Sequence, residues 1–458
     1  MPVFNKIRFL NIQKGFQTFE IPFPFYKVKR KNRRFKILIG ELSILKRNDL
    51  ERKNRRYNQY NHYSCYYHYH HTANIFEFTN RLLFYAFAGC SIFAAMSQSL
   101  SHTQLVQLAD QFGTPLYVYH AEKIAEQYST LQKAFEGSNA RFFYACKALT
   151  NINVLKYMQS LGAGLDCVSI NEVKLGLKAG FSPDRILFTP NCVDFAEIEE
   201  GKDLGINLNI DNISILEQFG AKFGGSYPIL IRFNPHIMGG GHYKMSTGHI
   251  DSKFGISVHQ MRHIERIVKS TGIKVRGIHM HTGSDIKDIN VFLSGLEVMF
   301  GIAEHFPDLE VVDLGSGFKV PYHEDDVRTD VAALGEKVAE AFVKYEKETG
   351  KSLEIWFEPG KFLVSEAGYF ITKANVIKQT TATVFVGVNS GFNHLIRPMM
   401  YEAYHKIDNL SNPFGSPRIY TVVGNICETD TFAWDRKLSE VREGDYLVFY
   451  NAGAYGFE

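Results

Sequence analysis

The sequence predicts an α/β fold, a (β/α)8 TIM-like barrel followed by a C-terminal, mainly β domain. Three observations carry this expectation. From residue 141, short β-branched or apolar runs alternate eight times with amphipathic stretches over about 220 residues, the arithmetic of an eightfold barrel. Polar residues recur at the C-terminal ends of those runs, where such barrels place reactive groups. After Gly360 the helical period fades and alternating segments take over. A doubly wound sheet could also hold eight strands, but it would usually carry a nucleotide-binding turn after its first strand, and none is found.

Taken in order, residues 1–95 form a basic extension that reads as poorly structured. They hold 17 Lys/Arg against 5 Asp/Glu, a run of cations from Lys27 to Lys36 and a Tyr/His tract over 61–71. The apolar stretch Leu82–Ala95 spans 14 residues, short of the ~20 that cross a bilayer. A targeting or membrane-surface arm, a His-rich metal tract and sequence outside the working protein are the competing readings. The last is favoured, with translation starting at Met96, because globular-looking sequence begins there. Residues 96–120 contain the strand-like Pro115–His120 and are expected to pair with the β domain. The barrel is assigned to 121–366, with strands at Phe142–Ala148, Gly164–Ser169, Ile186–Pro190, Asn207–Asp211, Pro228–Asn234, Val275–Ser284, Glu310–Gly317 and Ile355–Gly360. Helical-period stretches such as Asn151–Ala163, His259–Gly272, Lys287–Phe306 and Ala333–Gly350 lie between them. The β domain, 367–458, reads from Tyr369–Val376, Thr383–Asn389, Ile419–Gly424 and Asp445–Asn451. Its end, just after a strand-like run, gives the expectation of a truncated C-terminus.

Composition narrows the class. A chain of 458 residues with 45% hydrophobic and 22% charged residues suits two or three globular domains and excludes a disordered chain or a fibre. Six cysteines without a CxxC pair fit reduced, cytoplasmic thiols better than a disulfide framework or zinc site. The net charge of +3 conceals a basic extension and an acidic remainder, so nucleic acid is not an expected partner.

The strand ends carry the chemistry. The first ends in Tyr144-Ala-Cys-Lys-Ala148, the second in Asp166-Cys-Val-Ser169 and the fifth in Ile231-Arg-Phe-Asn-Pro235. The sixth ends in His279-Met-His-Thr-Gly-Ser284, the seventh in Asp313-Leu-Gly-Ser-Gly317 and the eighth in Glu358-Pro-Gly-Lys361. A lysine in an apolar setting has a lowered pKa and offers a neutral amine for Schiff-base chemistry, which points to Lys147. Gly315, Gly317 and Gly360 expose backbone N–H groups suited to a phosphate. Glu358 supplies a carboxylate able to keep a pyridine nitrogen protonated, and His281 can pack on a flat ring. Together these parts describe a pyridoxal phosphate site. His279-Met-His281 is also how metal-dependent hydrolases begin. The neighbouring strand ends are read as adding no further His or Asp, so no metal is expected. Gly239–Gly248 resembles a phosphate loop but lacks the adjacent Gly-Lys-Ser/Thr, and reads as a mobile active-site loop.

From about Phe112 to the end, the chain resembles the barrel-type (fold type III, alanine racemase-like) pyridoxal phosphate decarboxylases, and among them the diaminopimelate decarboxylases. The resemblance implies that Lys147 binds the cofactor aldehyde, His281 stacks on its ring and Ser284 and Gly315-Ser-Gly317 hold its phosphate. Glu358 would partner the ring nitrogen, Asp166 and Arg232 would support the cofactor and its histidine, and Tyr455 would close over the phosphate and also contact the substrate. Arg397-Pro-Met-Met-Tyr401 is similar to the Arg-Pro-x-x-Tyr segment that holds a distal carboxylate, so Arg397 and Tyr401 are implied substrate residues, with Lys361. Cys427-Glu428-Thr-Asp430 resembles a segment that enters the partner subunit's site, implying a homodimer, with Cys427 as proton donor and Glu428 as substrate contact. The implied reaction is decarboxylation of meso-2,6-diaminopimelate to L-lysine and CO2. Alternatives are a decarboxylase of carboxynorspermidine, ornithine or arginine type, or a catalytically silent homologue. The pattern departs at Lys361, where arginine is usual and a planar fork becomes a point charge.

Overall fold

The computed structural model describes residues 99–457 except 238 and 241–246, together with the backbone of Arg8–Leu10. Eight parallel strands close into a barrel. They are β1 (Ala140–Ala145), β2 (Gly164–Cys167), β3 (Ile186–Phe188), β4 (Asn207–Ile210), β5 (Ile229–Asn234), β6 (Val275–Met280), β7 (Val311–Asp313) and β8 (Glu354–Phe357). Each pairs in parallel with its sequence neighbours, and β8 with β1 closes the ring.

Packing explains the closure. Phe143 of β1, Leu187 of β3, Leu230 of β5, Val311 of β7 and Trp356 of β8 form one buried cluster, a filled layer drawn mainly from alternate strands. The even strands yield space to it. A Cβ on Gly164 of β2 would lie 2.5 Å from the Phe143 ring, and one on Gly277 of β6 would lie 2.8 Å from Leu230. Helices cover the outside, and their starts follow local chemistry. Ser169 caps the helix Ile170–Ala179, and Asp330 caps Val331–Thr349, each by accepting from a backbone N–H inside the first turn.

The predicted strands are found, but several end sooner. β6 stops at Met280 and β7 at Asp313, so the polar motifs follow the strands as loops. The β domain contains β9 (Gly368–Gln379), β10 (Val384–Val388), β11 (Ile407–Asn409), β12 (Pro417–Val423), β13 (Thr431–Ser439) and β14 (Tyr446–Phe449). Strands β11 and β13 had no prediction. β11 has three residues, and Asp435-Arg-Lys437 interrupts the apolar alternation of β13. The strand Leu116–His120 pairs antiparallel with β9, Leu116 opposite Ile371 and Tyr119 opposite Gly368. Arg8–Leu10, within the extension expected to lie outside the fold, pairs in parallel with that same strand. The Met96 start, the Tyr/His tract, the apolar stretch Leu82–Ala95 and residues 241–246 of the predicted loop lie outside the described residues. Among the described residues, no helix is long and apolar enough to cross a membrane.

Candidate active site

The C-terminal ends of the barrel strands surround an open cleft with an empty volume of about 430 Å³. Of the predicted residues, Lys147, Glu358, His281 and Ser284 line it, and so do Gly317, Gly360, Lys361 and Tyr455. Lys147 sits in a single 3-10 turn, Cys146–Ala148, immediately after β1. The β1–β2 register sets Ala145 opposite Asp166, which brings Lys147 Nζ to 2.9 Å from Asp166 Oδ2. Asp166 is fully buried, whereas the lysine side chain is 39% exposed.

This ion pair corrects one expectation. Lys147 was expected to have a lowered pKa because of an apolar setting. Burial does favour the neutral amine, but the carboxylates of Asp166 and Glu358 overrule it and the net direction is upward. Asp166 is itself pushed up to about 7, by burial and by Glu358, with Lys147 pulling the other way. Glu358 takes the opposite course. Burial would raise it, yet His279, at 3.4 Å, and Lys147 hold it well below the usual carboxylate range. His281 is pushed down to about 3 by burial and by the cations Arg232 and Lys147, so its imidazole is neutral. Arg232 is buried, with its guanidinium 4.8 Å from the centre of the Phe254 ring.

The turn after β7 is a cradle that side chains would fill. Gly315 and Gly317 have φ of 62° and 114°, and a Cβ on Gly317 would lie 2.1 Å from the Gly283 carbonyl oxygen. Asp313 Oδ1 accepts from Gly315 N–H at 2.8 Å, and Ser316 Oγ donates to the Glu358 carbonyl at 2.8 Å. Tyr455 N–H donates to the Ala148 carbonyl at 3.0 Å, tying the β domain's last segment to the lysine turn. An amine open to the cleft, a buried anionic carboxylate and an unobstructed glycine turn fit pyridoxal phosphate.

A second group of charges lies beside the cleft. Lys361 is paired with Asp285. The Tyr322 ring stands 5.0 Å from the Arg397 guanidinium and 5.8 Å from Lys361 Nζ. Arg397, buried, opens the short helix Arg397–Tyr401, which also contains Tyr401. Its Nε has no hydrogen-bond partner among the described residues. Cys427 and Glu428 are not brought into this cleft. They are exposed on the loop 424–430, which is fixed at its base where Asp430 Oδ1 accepts from Phe392 N–H at 2.7 Å.

Sequence reasoning missed several participants. Thr189, one residue past β3, donates to Glu358 Oε1 at 3.3 Å, and Tyr322 and Asp285 carry contacts described above. Thr189 follows a strand end, a signal that could have flagged it. The expectation that the neighbouring strand ends add no further His or Asp is also corrected, by Asp313. His279, Asp313 and Glu358 are all buried, with one ligand-type atom from each within 4.8 Å of the others. Strands β6, β7 and β8 pair side by side and so assemble the cluster, and the cations Lys147 and Arg232 act on its histidine.

Known proteins match this architecture. The pyridoxal binding domain of the pyridoxal-dependent decarboxylases matches residues 121–365. The diaminopimelate decarboxylase of Methanothermobacter thermautotrophicus is 38% identical over 362 residues, covering 77% of this chain and 84% of the relative. That of Escherichia coli K12 is 33% identical over 374 residues, with 78% and 88% covered. The crystal structure of diaminopimelate decarboxylase from Helicobacter pylori complexed with L-lysine superposes with a TM-score of 0.71 at 30% identity, covering 77% of this chain and 89% of that one. On the strength of the cleft, the barrel and these matches, the chain belongs to the pyridoxal-dependent decarboxylases, within the diaminopimelate decarboxylase family.

Proposed function

We propose that this protein decarboxylates meso-2,6-diaminopimelate to L-lysine and CO2, the last step of lysine biosynthesis, using pyridoxal 5'-phosphate. The observation that carries the reading is the joining of Lys147, 2.9 Å from Asp166, with an anionic Glu358 in one cleft beside Arg397. The bound cofactor supplies an aldehyde for an amine to join and a ring that takes up the electron pair left when CO2 departs.

The chain's own residues then have separable tasks. Lys147 Nζ would hold the cofactor at its aldehyde, and beside Asp166 the same amine would be placed to exchange protons. Glu358 holds the proton on the ring nitrogen, an electrostatic task that its low pKa suits. The neutral imidazole of His281 packs on the ring face, while Arg232 and Asp166 brace the groups beneath it. Ser284, the Gly315–Gly317 turn, Gly360 and Tyr455 bind the phosphate. Arg397 and Tyr401 would orient the distal carboxylate, because a guanidinium donates directed hydrogen bonds to it, with Lys361 standing beside them in its pair with Asp285. That grip turns the other carboxylate toward the reacting centre.

The working unit in this proposal is a cytoplasmic homodimer, in which Cys427 of the partner subunit delivers a proton to Cα and Glu428 of the partner subunit meets the substrate. Exposure of both side chains on an anchored loop supports this. The proposed division is a cofactor barrel at 121–366 and a β domain at 367–458 joined by 96–120, supported by the pairing of Leu116–His120 with β9. The test measures CO2 release and L-lysine formation from meso-diaminopimelate by the protein loaded with pyridoxal phosphate. Ornithine, arginine and carboxynorspermidine serve as competitors. Turnover of any of these in preference to meso-diaminopimelate would overturn the assignment.

A further inference from the structure

Two cations approach the Tyr322 ring, and they are not equivalent. Arg397 Nε is buried without a hydrogen-bond partner among the described residues, so it is poised for a ligand. Lys361 lines the cleft but is engaged within the chain, its Nζ paired with Asp285 Oδ1 at side-chain exposures of 5% and 15%. Asp285 is held in place by its backbone. It has a φ of 62°, a left-handed conformation uncommon outside glycine and tolerated best by Asn and Asp. The next residue fixes that turn, since Ile286 N–H donates to Gly317 O at 2.9 Å and Ile286 O accepts from Thr329 Oγ1 at 2.5 Å. The carboxylate therefore stands on a fixed turn, one residue after the cleft-lining Ser284 and paired with the cleft-lining Lys361.

We propose that Asp285 is a specificity-determining residue. It neutralises Lys361 and presents an anion to the far end of the substrate, so the pocket selects a group bearing both a carboxylate and an ammonium. Of the two cations at the Tyr322 ring, a bare carboxylate meets Arg397, the one not paired with a carboxylate among the described residues, and it brings no ammonium to Asp285. Sites that engage a polar group discriminate strongly against analogues that lack it. The inference rests on the function proposed above for this cleft and names a determinant of its selectivity.

The experiment compares the equilibrium binding of L-lysine, which keeps both distal charges, with that of 6-aminohexanoate, which lacks the distal ammonium. Both ligands share the near-end amine, so damage to the fold or cofactor site weakens them alike. The loaded wild-type protein is expected to prefer L-lysine by roughly tenfold or more. D285N keeps a side chain suited to the turn and is expected to lower that preference by about fivefold or more, with D285E retaining it. K361Q frees Asp285 and is expected to raise the preference. An unchanged L-lysine to 6-aminohexanoate ratio in D285N, or a ratio that falls in K361Q, overturns the proposal. A wild-type protein that discriminates in binding yet fails to release CO2 from meso-diaminopimelate leaves Asp285's role standing and overturns the catalytic reading alone.

Discussion

Neutralising Asp166 should change when Lys147 becomes reactive. At 2.9 Å and an effective dielectric of ~20, the pair attracts by about 6 kcal/mol, or some four pK units on the lysine. The lysine side chain is 39% exposed, so water screens part of this and about two units is the better expectation. Asp166→Asn removes the anion and leaves burial to pull Lys147 down. Asp166 is pushed up to about 7, so the comparison belongs above that pH, where the wild-type group is an anion. The assay is the rate at which cofactor-free protein captures pyridoxal phosphate, followed by the absorbance of the bound form between pH 7.5 and pH 10. Only the neutral amine attacks, so the wild-type rate should keep climbing across this range. The Asn variant should be faster throughout this range, with roughly 100-fold more neutral amine at pH 8. A profile that does not move, or moves to higher pH, would refute the claim that Asp166 governs this amine.

Lys147→Ala should abolish both the visible absorbance of bound cofactor and turnover, and a variant that keeps either defeats the lysine assignment. Glu358→Gln should still bind the cofactor but lose about 10²–10³ in kcat, roughly 3–4 kcal/mol of barrier lowering, read by steady-state kinetics. An unchanged kcat would remove Glu358 from the ring nitrogen. Gly317→Ala places a methyl 2.1 Å from the Gly283 carbonyl oxygen at a positive φ. It should cost about 1–3 kcal/mol in a denaturant titration and weaken cofactor retention, measured by dialysis.

The legible part of the site was the part written along single strands. Lys147, Asp166, His281, Gly315, Gly317 and Glu358 each follow an apolar run, and the shared barrel end predicts their meeting. The illegible part depends on residues from different strands facing one another at atomic distance. The rise in the Lys147 pKa needs the β1–β2 register, and the Lys361–Asp285 pair joins a short helix to a loop 76 positions away in sequence. Thr189 lies next to Glu358 only because the ring is closed. In the fold, β9, β10, β12 and β14 were visible from alternation. The three-residue β11 and the charged β13 were not, since neighbouring strands rather than their own pattern hold them in place.

The pairing of Leu116–His120 with Gly368–Gln379 has a consequence for biogenesis. The earlier strand leaves the ribosome roughly 250 residues before its partner, a wait on the order of 10–50 s at ordinary elongation rates. Through that interval an apolar Leu-Tyr-Val-Tyr segment lacks this hydrogen-bonded neighbour, a vulnerable state for any nascent polypeptide. Slowed synthesis should therefore lower the yield of native protein more than it would for a protein whose β domain took no strand from ahead of the barrel.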